Sequence, residues 1–245
     1  MGGLPSELEI LDERVVECVR CPRLVAYRQQ VAAQKRRAFR DWEYWGRPLP
    51  PFGDPEAALL VIGLAPAAHG GNRTGRMFTG DRSGDFLFRA LFNTGFASQP
   101  ASYARGDGLR LTGCYITAAV RCAPPGNRPA LVEIRNCREY LERELDLLAG
   151  VRVVVALGRL AFEVYLSILK DRGVIRSRAA FPFAHNREHV TGPDLPVLLS
   201  SYHPSQQNTS TGKLTLEMLE DVFRRARRII SRLPYPASLS PAQSR

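Results

Sequence analysis

The sequence predicts a three-layer α/β/α sandwich with a central four-stranded, mostly parallel sheet. Short runs of valine, leucine and isoleucine alternate along the chain with longer amphipathic segments, which is the order of right-handed βαβ units. Two of these apolar runs end in loops rich in glycine or in short polar side chains. Ligands bind beyond the carboxyl ends of strands in such sheets, so the two loops predict a site at one edge.

The first elements are helical. Leu8, Leu11, Val15 and Val19 recur near a 3.6-residue period within residues 6–37. A proline three residues after Val19 predicts a break there, and therefore two helices. Residues 41–56 contain four prolines and two glycines, which indicates a connecting loop.

Strands and helices then alternate. The predicted strands are residues 58–62, 115–120, 151–157 and 197–201. The predicted helices are residues 85–96, 131–148, 159–169 and 213–233. The third strand is rich in valine, which suits a buried central position. We expect one domain over residues 1–232 and a disordered tail, rich in proline and serine, over residues 233–245.

Lysine and arginine outnumber aspartate and glutamate by 34 to 24, which gives a formal net charge of +10. This balance favours a polyanionic partner, a nucleic acid or a membrane surface, although a well-solvated cationic protein has the same composition. No apolar run reaches the roughly 18 residues that span a membrane. The N-terminal residues also lack the regions of a secretory signal, so we expect a cytosolic protein.

The cysteines indicate a metal site. Five cysteines in a chain without an export signal argue against a disulfide framework. Cys18 and Cys21 form a C-x-x-C pair, and Cys122 and Cys137 supply a second pair. Four thiolates suit structural zinc or a 4Fe–4S cluster, and the spacing does not choose between them. Unlinked buried thiols are the alternative, and we expect Cys114 to be a buried apolar residue.

The loop after the first strand, residues 63–85, contains six glycines and few apolar side chains. A long irregular loop in a compact domain is usually functional, and glycine allows a ligand to approach the backbone closely. Phe78 could stack on a base or anchor the loop in the core. Asp81 could cap the following helix. Three arginines in this loop suit phosphate groups: Arg73, Arg76 and Arg82.

The last strand leads into Tyr202-His203-Pro204-Ser205-Gln206-Gln207-Asn208-Thr209. This pattern places one histidine and several short polar side chains on a loop at the carboxyl edge of the sheet. His203 is therefore either a site residue or a satisfied structural histidine.

Four motifs together resemble the type-5 uracil-DNA glycosylases, the iron–sulfur branch of the uracil-DNA glycosylase superfamily near the type-4 enzymes. In chain order they are GLAPA, RTGRMFTGDRSG, YITAAVRCAPPGNRP and HPSQQNTSTG, with the four cysteines around them. The resemblance covers roughly residues 10–232. It implies that the protein flips a damaged base out of duplex DNA and hydrolyses its N-glycosidic bond.

The resemblance also implies a structural 4Fe–4S cluster without redox chemistry in the reaction, with zinc as the alternative metal. Its ligands would be Cys18, Cys21, Cys122 and Cys137, and Cys114 would lie outside it. We expect a monomer that acts on double-stranded DNA containing damaged bases.

Two departures from the type-4 pattern change the expected chemistry. Leu64 stands where type-4 enzymes carry an acidic residue, so Asp81 is the nearest substitute. Ala118 stands where type-4 enzymes carry the asparagine that reads uracil. A pocket without this amide discriminates weakly between bases. We therefore expect release of uracil together with bases such as hypoxanthine or ethenocytosine.

The resemblance assigns further roles. His203 would stabilise the leaving base, and Asp81 would stabilise the sugar cation or orient water. The residues expected to line the base site are Gly63, Leu64, Ala65, Pro66, Phe78, Ala118 and Asn208. The residues expected to contact DNA are Arg73, Arg76, Arg82, Arg121 and Gln206. A non-catalytic DNA-binding protein with a structural metal is the alternative, and an iron–sulfur electron-transfer protein is a third.

Overall fold

The computed structural model describes residues 4–232, so the predicted tail at 233–245 lies outside the described residues. Six strands form one sheet in the described part of the chain. They are β1 (Phe52–Gly53), β2 (Leu59–Gly63), β3 (Cys114–Ala118), β4 (Val153–Leu157), β5 (Arg187–His189) and β6 (Val197–Ser201). Their order across the sheet is β1-β3-β2-β4-β6-β5.

Eight α-helices accompany the sheet in the described residues. They are α1 (Glu7–Val16), α2 (Pro22–Gln34), α3 (Gly71–Thr74), α4 (Arg82–Asn93), α5 (Leu131–Leu147), α6 (Arg159–Asp171), α7 (Gln206–Ser210) and α8 (Leu216–Arg232). The predicted break between two N-terminal helices is confirmed, since Pro22 opens α2. None of the helices between residues 4 and 232 has the length and apolarity to cross a membrane.

The predicted parallel strands are confirmed as the centre of the sheet. β3, β2, β4 and β6 run parallel, with Val61 of β2 opposite Ile116 of β3 and Val155 of β4. Every residue of β2, β3 and β4 is buried, which explains their predominantly apolar sequences. The predicted count of four strands is corrected to six, because β1 and β5 add short antiparallel edges. Two- and three-residue strands have no readable alternation.

Helices cover both faces of the sheet, as the three-layer prediction requires. On one face α4 and α8 pack together, with Phe88 and Phe223 in the same cluster as Val61. On the other face α6 supplies Phe162 and Tyr165 against the opposite side of β2 and β4. The chain leaves β2 toward β3 and leaves β4 toward β6. The carboxyl ends of β2 and β4 therefore flank a topological switch point.

An ion pair beneath this edge is fully buried. Arg121 lies just after β3, and its guanidinium Nη2 contacts Glu144 Oε1 of α5 at 2.5 Å, with both side chains at most 1% exposed. Glu144 Oε2 accepts a hydrogen bond from Thr117 Oγ1 at 2.7 Å. The pair therefore fixes the end of β3 against α5.

Burial, together with the nearby Glu144, raises the pKa of Asp12 to about 7.

The substitution Arg121→Met tests how far the fold depends on this pair. We expect the free energy of unfolding to fall by about 3–5 kcal/mol, because Glu144 would stay buried without its partner. Urea unfolding monitored by circular dichroism measures the change. The double variant Arg121→Met/Glu144→Gln should recover part of the loss, since glutamine keeps an acceptor for Thr117 without the charge. A single variant as stable as the parent protein would contradict this account.

Candidate active site

A cavity of about 400 Å³ opens at the carboxyl edge of the sheet. One wall is the segment after β2, where Leu64, Ala65 and Pro66 line the cavity. Ala118, the last residue of β3, also lines it and stands opposite Gly63 in the strand register. This wall is therefore apolar at both positions where the sequence departs from the type-4 pattern.

Phe78 lines the cavity from an unusual backbone conformation. Its φ of 51° lies in the left-handed region, which non-glycine residues rarely adopt. Two glycines make this placement possible. A Cβ at Gly63 would lie 2.7 Å from Phe78 Cζ, and a Cβ at Gly84 would lie 1.7 Å from the Phe78 carbonyl oxygen. Gly63 thus contributes to the site indirectly, because its missing side chain leaves room for the Phe78 ring.

Asp81 is both the N-cap of α4 and part of the cavity lining. Its Oδ1 accepts a hydrogen bond from the backbone N–H of Gly84 at 3.0 Å. Gly70 leaves room for the other oxygen, since a Cβ there would lie 2.1 Å from Oδ2. Burial raises the pKa of Asp81, and hydrogen bonds from the backbone of Gly84 and Ser83 oppose this effect. The capping interpretation and the site interpretation are therefore compatible.

His203 lines the cavity beside Phe78, with ring centroids 6.0 Å apart and ring planes inclined by 32°. Burial lowers the pKa of His203 to about 4, so the imidazole is neutral at neutral pH. Asn208 lies behind the loop, where its Nδ2 donates to the His203 carbonyl oxygen at 2.9 Å. The resemblance implies that Asn208 positions this loop or contacts the DNA strand, and its hydrogen bond to His203 agrees with the first role, away from the residues that line the cavity. Gln206 is exposed at the rim.

The arginines predicted to contact phosphate separate into two groups. Arg82 is exposed at the rim of the cavity. Arg73 is buried, and its guanidinium carbon lies 3.9 Å from the ring centroid of Phe39 and 4.1 Å from that of Trp42. Its Nη2 donates to the carbonyl oxygen of Gly80 at 2.9 Å. Arg73 therefore holds the loop together from inside.

Arg76 and Arg121 are also buried. Arg76 pairs with Asp107 at 2.5 Å, and its Nη2 donates to Ser102 Oγ at 2.6 Å. Arg121 pairs with Glu144, as described above. The predicted phosphate contacts of these two residues and of Arg73 are thus corrected to interior structural roles. The sequence shows the charges of the loop but not the distant partners that draw them inside.

The cavity also contains residues that the sequence reasoning did not select. Asn127 lines it from the loop after Cys122, with a φ of 57°. Met77 and Ser205 contribute further lining. The signal for Asn127 was available in the PPGNRP motif, where a polar amide stands beside glycine and proline.

The four selected cysteines line a second, smaller cavity between the N-terminal helices and the sheet: Cys18, Cys21, Cys122 and Cys137. The backbone N–H of Arg121 donates to Cys137 Sγ at 3.3 Å, and Asn136 Nδ2 donates to Cys21 Sγ at 3.5 Å. Such donors stabilise thiolates. Between residues 4 and 232, no group of three or more His, Cys, Asp or Glu side chains has the arrangement of metal ligands.

Burial raises the pKa of Cys122 to about 12 and that of Cys137 to about 11. These thiols would be protonated without a bound cation, and a metal binds the thiolate. The all-sulfur donor set and the donors to sulfur suit a thiolate-bound metal in their chemistry, but in the described residues the thiols do not have the arrangement of metal ligands. Cys114 lies apart in β3, buried in the core between the sheet and α4, as predicted.

The fold and the site together define an α/β protein with a ligand cavity at the switch point of its sheet. A family model described as the uracil DNA glycosylase superfamily matches residues 50–227. A type-5 uracil-DNA glycosylase of Thermus thermophilus is 52% identical over 221 residues, which are 90% of this chain and 97% of that protein.

A type-5 uracil-DNA glycosylase of Pyrobaculum aerophilum is 50% identical over 213 residues, 87% of this chain and 89% of that protein. A type-4 uracil-DNA glycosylase of Sulfurisphaera tokodaii is 24% identical over 235 residues, 91% of this chain and 85% of that protein. The chain therefore belongs to the uracil DNA glycosylase superfamily, and within it to the type-5 uracil-DNA glycosylases. The resemblance found in the four motifs is confirmed.

Proposed function

We propose that this protein is a DNA-repair glycosylase that flips uracil out of duplex DNA and hydrolyses its N-glycosidic bond, leaving an abasic site. The observation that supports this most directly is the cavity that joins His203, Phe78 and Asp81 in a chain of this family. An extruded base is recognised by stacking and by hydrogen bonds in a closely fitting pocket. A volume of about 400 Å³ accommodates such a base.

His203 stabilises the departing base. Cleavage of the glycosidic bond leaves negative charge on the base, and a hydrogen-bond donor aimed at its carbonyl oxygen lowers the barrier. The buried imidazole is neutral at neutral pH, so it donates an N–H without needing a proton from solution. Asn208 fixes the backbone of His203 through the carbonyl oxygen. Phe78, whose ring lies beside His203 in the lining, stacks on the base.

Asp81 acts on the sugar side of the bond. The sugar develops positive charge as the base departs, and a carboxylate stabilises that charge or orients the attacking water. The cap hydrogen bond from Gly84 to Oδ1 holds the side chain in place at the edge of the cavity. Leu64 supplies no carboxylate from the other side of the cavity, so Asp81 is the acidic group in this lining.

The apolar lining predicts a broad choice of bases. A buried amide rejects a wrong base strongly because its hydrogen bonds would be left unpaired, whereas an apolar wall rejects weakly. Ala118 has no such amide. The substrates therefore include hypoxanthine or ethenocytosine besides uracil.

Cys18, Cys21, Cys122 and Cys137 would hold a structural 4Fe–4S cluster, or zinc as the alternative, since an all-sulfur set suits either. These cysteines come from the N-terminal segment, the segment after β3 and α5, so the group would have a structural role and would supply no chemistry to bond cleavage. The protein binds double-stranded DNA as a monomer, with Arg82 and Gln206 at the rim of the base pocket.

Single-turnover base release by anaerobically purified protein tests the proposed function. Duplexes carrying uracil, hypoxanthine or ethenocytosine are incubated with excess enzyme, and abasic strands are quantified after alkaline cleavage. We expect release of uracil and at least one other base, because the wall at Ala118 offers no selective amide. The variant Ala118→Asn should keep uracil release and lose most release of the others.

Two outcomes would count against this proposal in different ways. Release of uracil alone would refute the broad pocket. Tight binding to every duplex without release would favour the non-catalytic DNA-binding alternative.

The variant Asp81→Asn separates catalysis from helix capping. Asparagine is as good an N-cap as aspartate, so stability should be nearly unchanged. Loss of the charge should lower the single-turnover rate by about 100-fold or more. The control Asp81→Ala removes both functions and should also cost about 1 kcal/mol of stability. A near-parental rate for Asp81→Asn would leave the carboxylate as a cap alone.

Cysteine substitution tests the cluster. Anaerobically purified protein should contain iron and sulfide and show a broad visible absorbance. Cys137→Ser should abolish that absorbance, whereas the matched control Cys114→Ser should retain it because Cys114 lies in a different core. If the protein is colourless and contains zinc, the iron–sulfur cluster is rejected and zinc is the bound metal.

A further inference from the structure

A groove beside the base pocket remains outside the roles assigned so far. It encloses about 350 Å³ between α4 and the segments that carry Thr209 and Leu216. We refer to this groove as the α4 groove. Arg82 lines both the α4 groove and the base pocket, so the two are continuous along the surface.

Two arginines on one face of α4 line the groove. Arg82 and Arg89 are seven residues apart and both exposed. They lie about 10 Å apart along the helix axis, which matches the rise of about three nucleotides of one DNA strand. Within the described part of the chain, neither side chain makes a hydrogen bond or an ion pair with N···O within 4 Å. The buried arginines of the preceding loop, by contrast, are held by internal partners.

One carboxylate also lies in the groove. Asp85 sits between the two arginines on α4, and burial raises its pKa, whereas both arginines lower it. Two arginines and one carboxylate thus line the groove. Phe86 and Leu216 supply apolar surface and pack against the main core.

We propose that the α4 groove binds the phosphodiester backbone of the DNA strand adjoining the flipped nucleotide. This inference rests on the proposed function and names the surface that holds its substrate. Exposed guanidinium groups bind phosphate oxygens with paired hydrogen bonds, and neither of these two is held by a hydrogen bond or a close ion pair in the described residues. Continuity through Arg82 places the bound backbone next to the pocket that receives the base. Asp85 lies between the two arginines and opposes an anionic ligand.

Salt-dependent binding tests the groove. The probe is a fluorescein-labelled duplex carrying one tetrahydrofuran abasic analogue, which the protein cannot hydrolyse. Fluorescence anisotropy gives the affinity of the full-length protein at several salt concentrations. We expect Arg89→Gln to reduce the slope of log K against log salt concentration by about 0.9, the value for one lost phosphate contact.

Two comparisons make this result specific. Arg176→Gln makes the same charge change after the carboxyl end of α6, at the opposite edge of the sheet, and should keep the parental slope. Asp85→Asn removes the opposing charge and should tighten binding. Equal slopes for Arg89→Gln, Arg176→Gln and the parent protein would overturn the inference.

The binding assay is independent of base release. A changed slope in a protein that releases no base would preserve the groove and reject the glycosylase. If the protein releases the base but Arg89→Gln keeps the parental slope, the glycosylase activity stands and the role of the α4 groove is rejected.

Discussion

The ion pair between Arg121 and Glu144 connects the two candidate sites of this protein. Its carboxylate also holds Thr117, the neighbour of Ala118 in the wall of the base pocket. The backbone N–H of Arg121 donates to Cys137 in the second cavity. One buried contact therefore positions the end of a central strand, the helix beside it and one of the thiols. Because both charges lie in a low-dielectric interior, neither can be removed alone without a large cost.

In the base pocket, the positions of Phe78 and Asp81 depend on three glycines. The ring occupies space that Gly63 and Gly84 leave empty, and the carboxylate occupies space that Gly70 leaves empty. The same carboxylate begins α4, whose other end packs into the core with α8. The pocket is thus built from backbone turns that are themselves fixed by the fold, which keeps its reactive groups in place before a ligand arrives.

Much of this arrangement could be predicted from the sequence, for identifiable reasons. Buried parallel strands are largely apolar, so the sequence predicts residues 197–201 at their observed limits and the other central strands within two residues. Motif order indicated that Phe78, Asp81 and His203 would meet, although they are distant in the chain. The edge strands were missed because two or three residues carry no periodicity. The roles of Arg73 and Arg76 were missed because burial depends on partners such as Asp107, which lies 31 residues beyond Arg76.

Hydrogen bonds of the helix α2 connect the cysteine cavity to the base pocket. Arg28 is buried in α2, and its side chain donates to the carbonyl oxygen of Cys18 at 3.3 Å. Its own carbonyl oxygen accepts a hydrogen bond from Asn72, which is fully buried in the loop that ends at Asp81. A displacement of α2 at the thiols would therefore reach the pocket through Arg28 and Asn72, in addition to the connection through Arg121. Oxidation of the four thiols would thus act on the shape of a pocket that none of these cysteines lines.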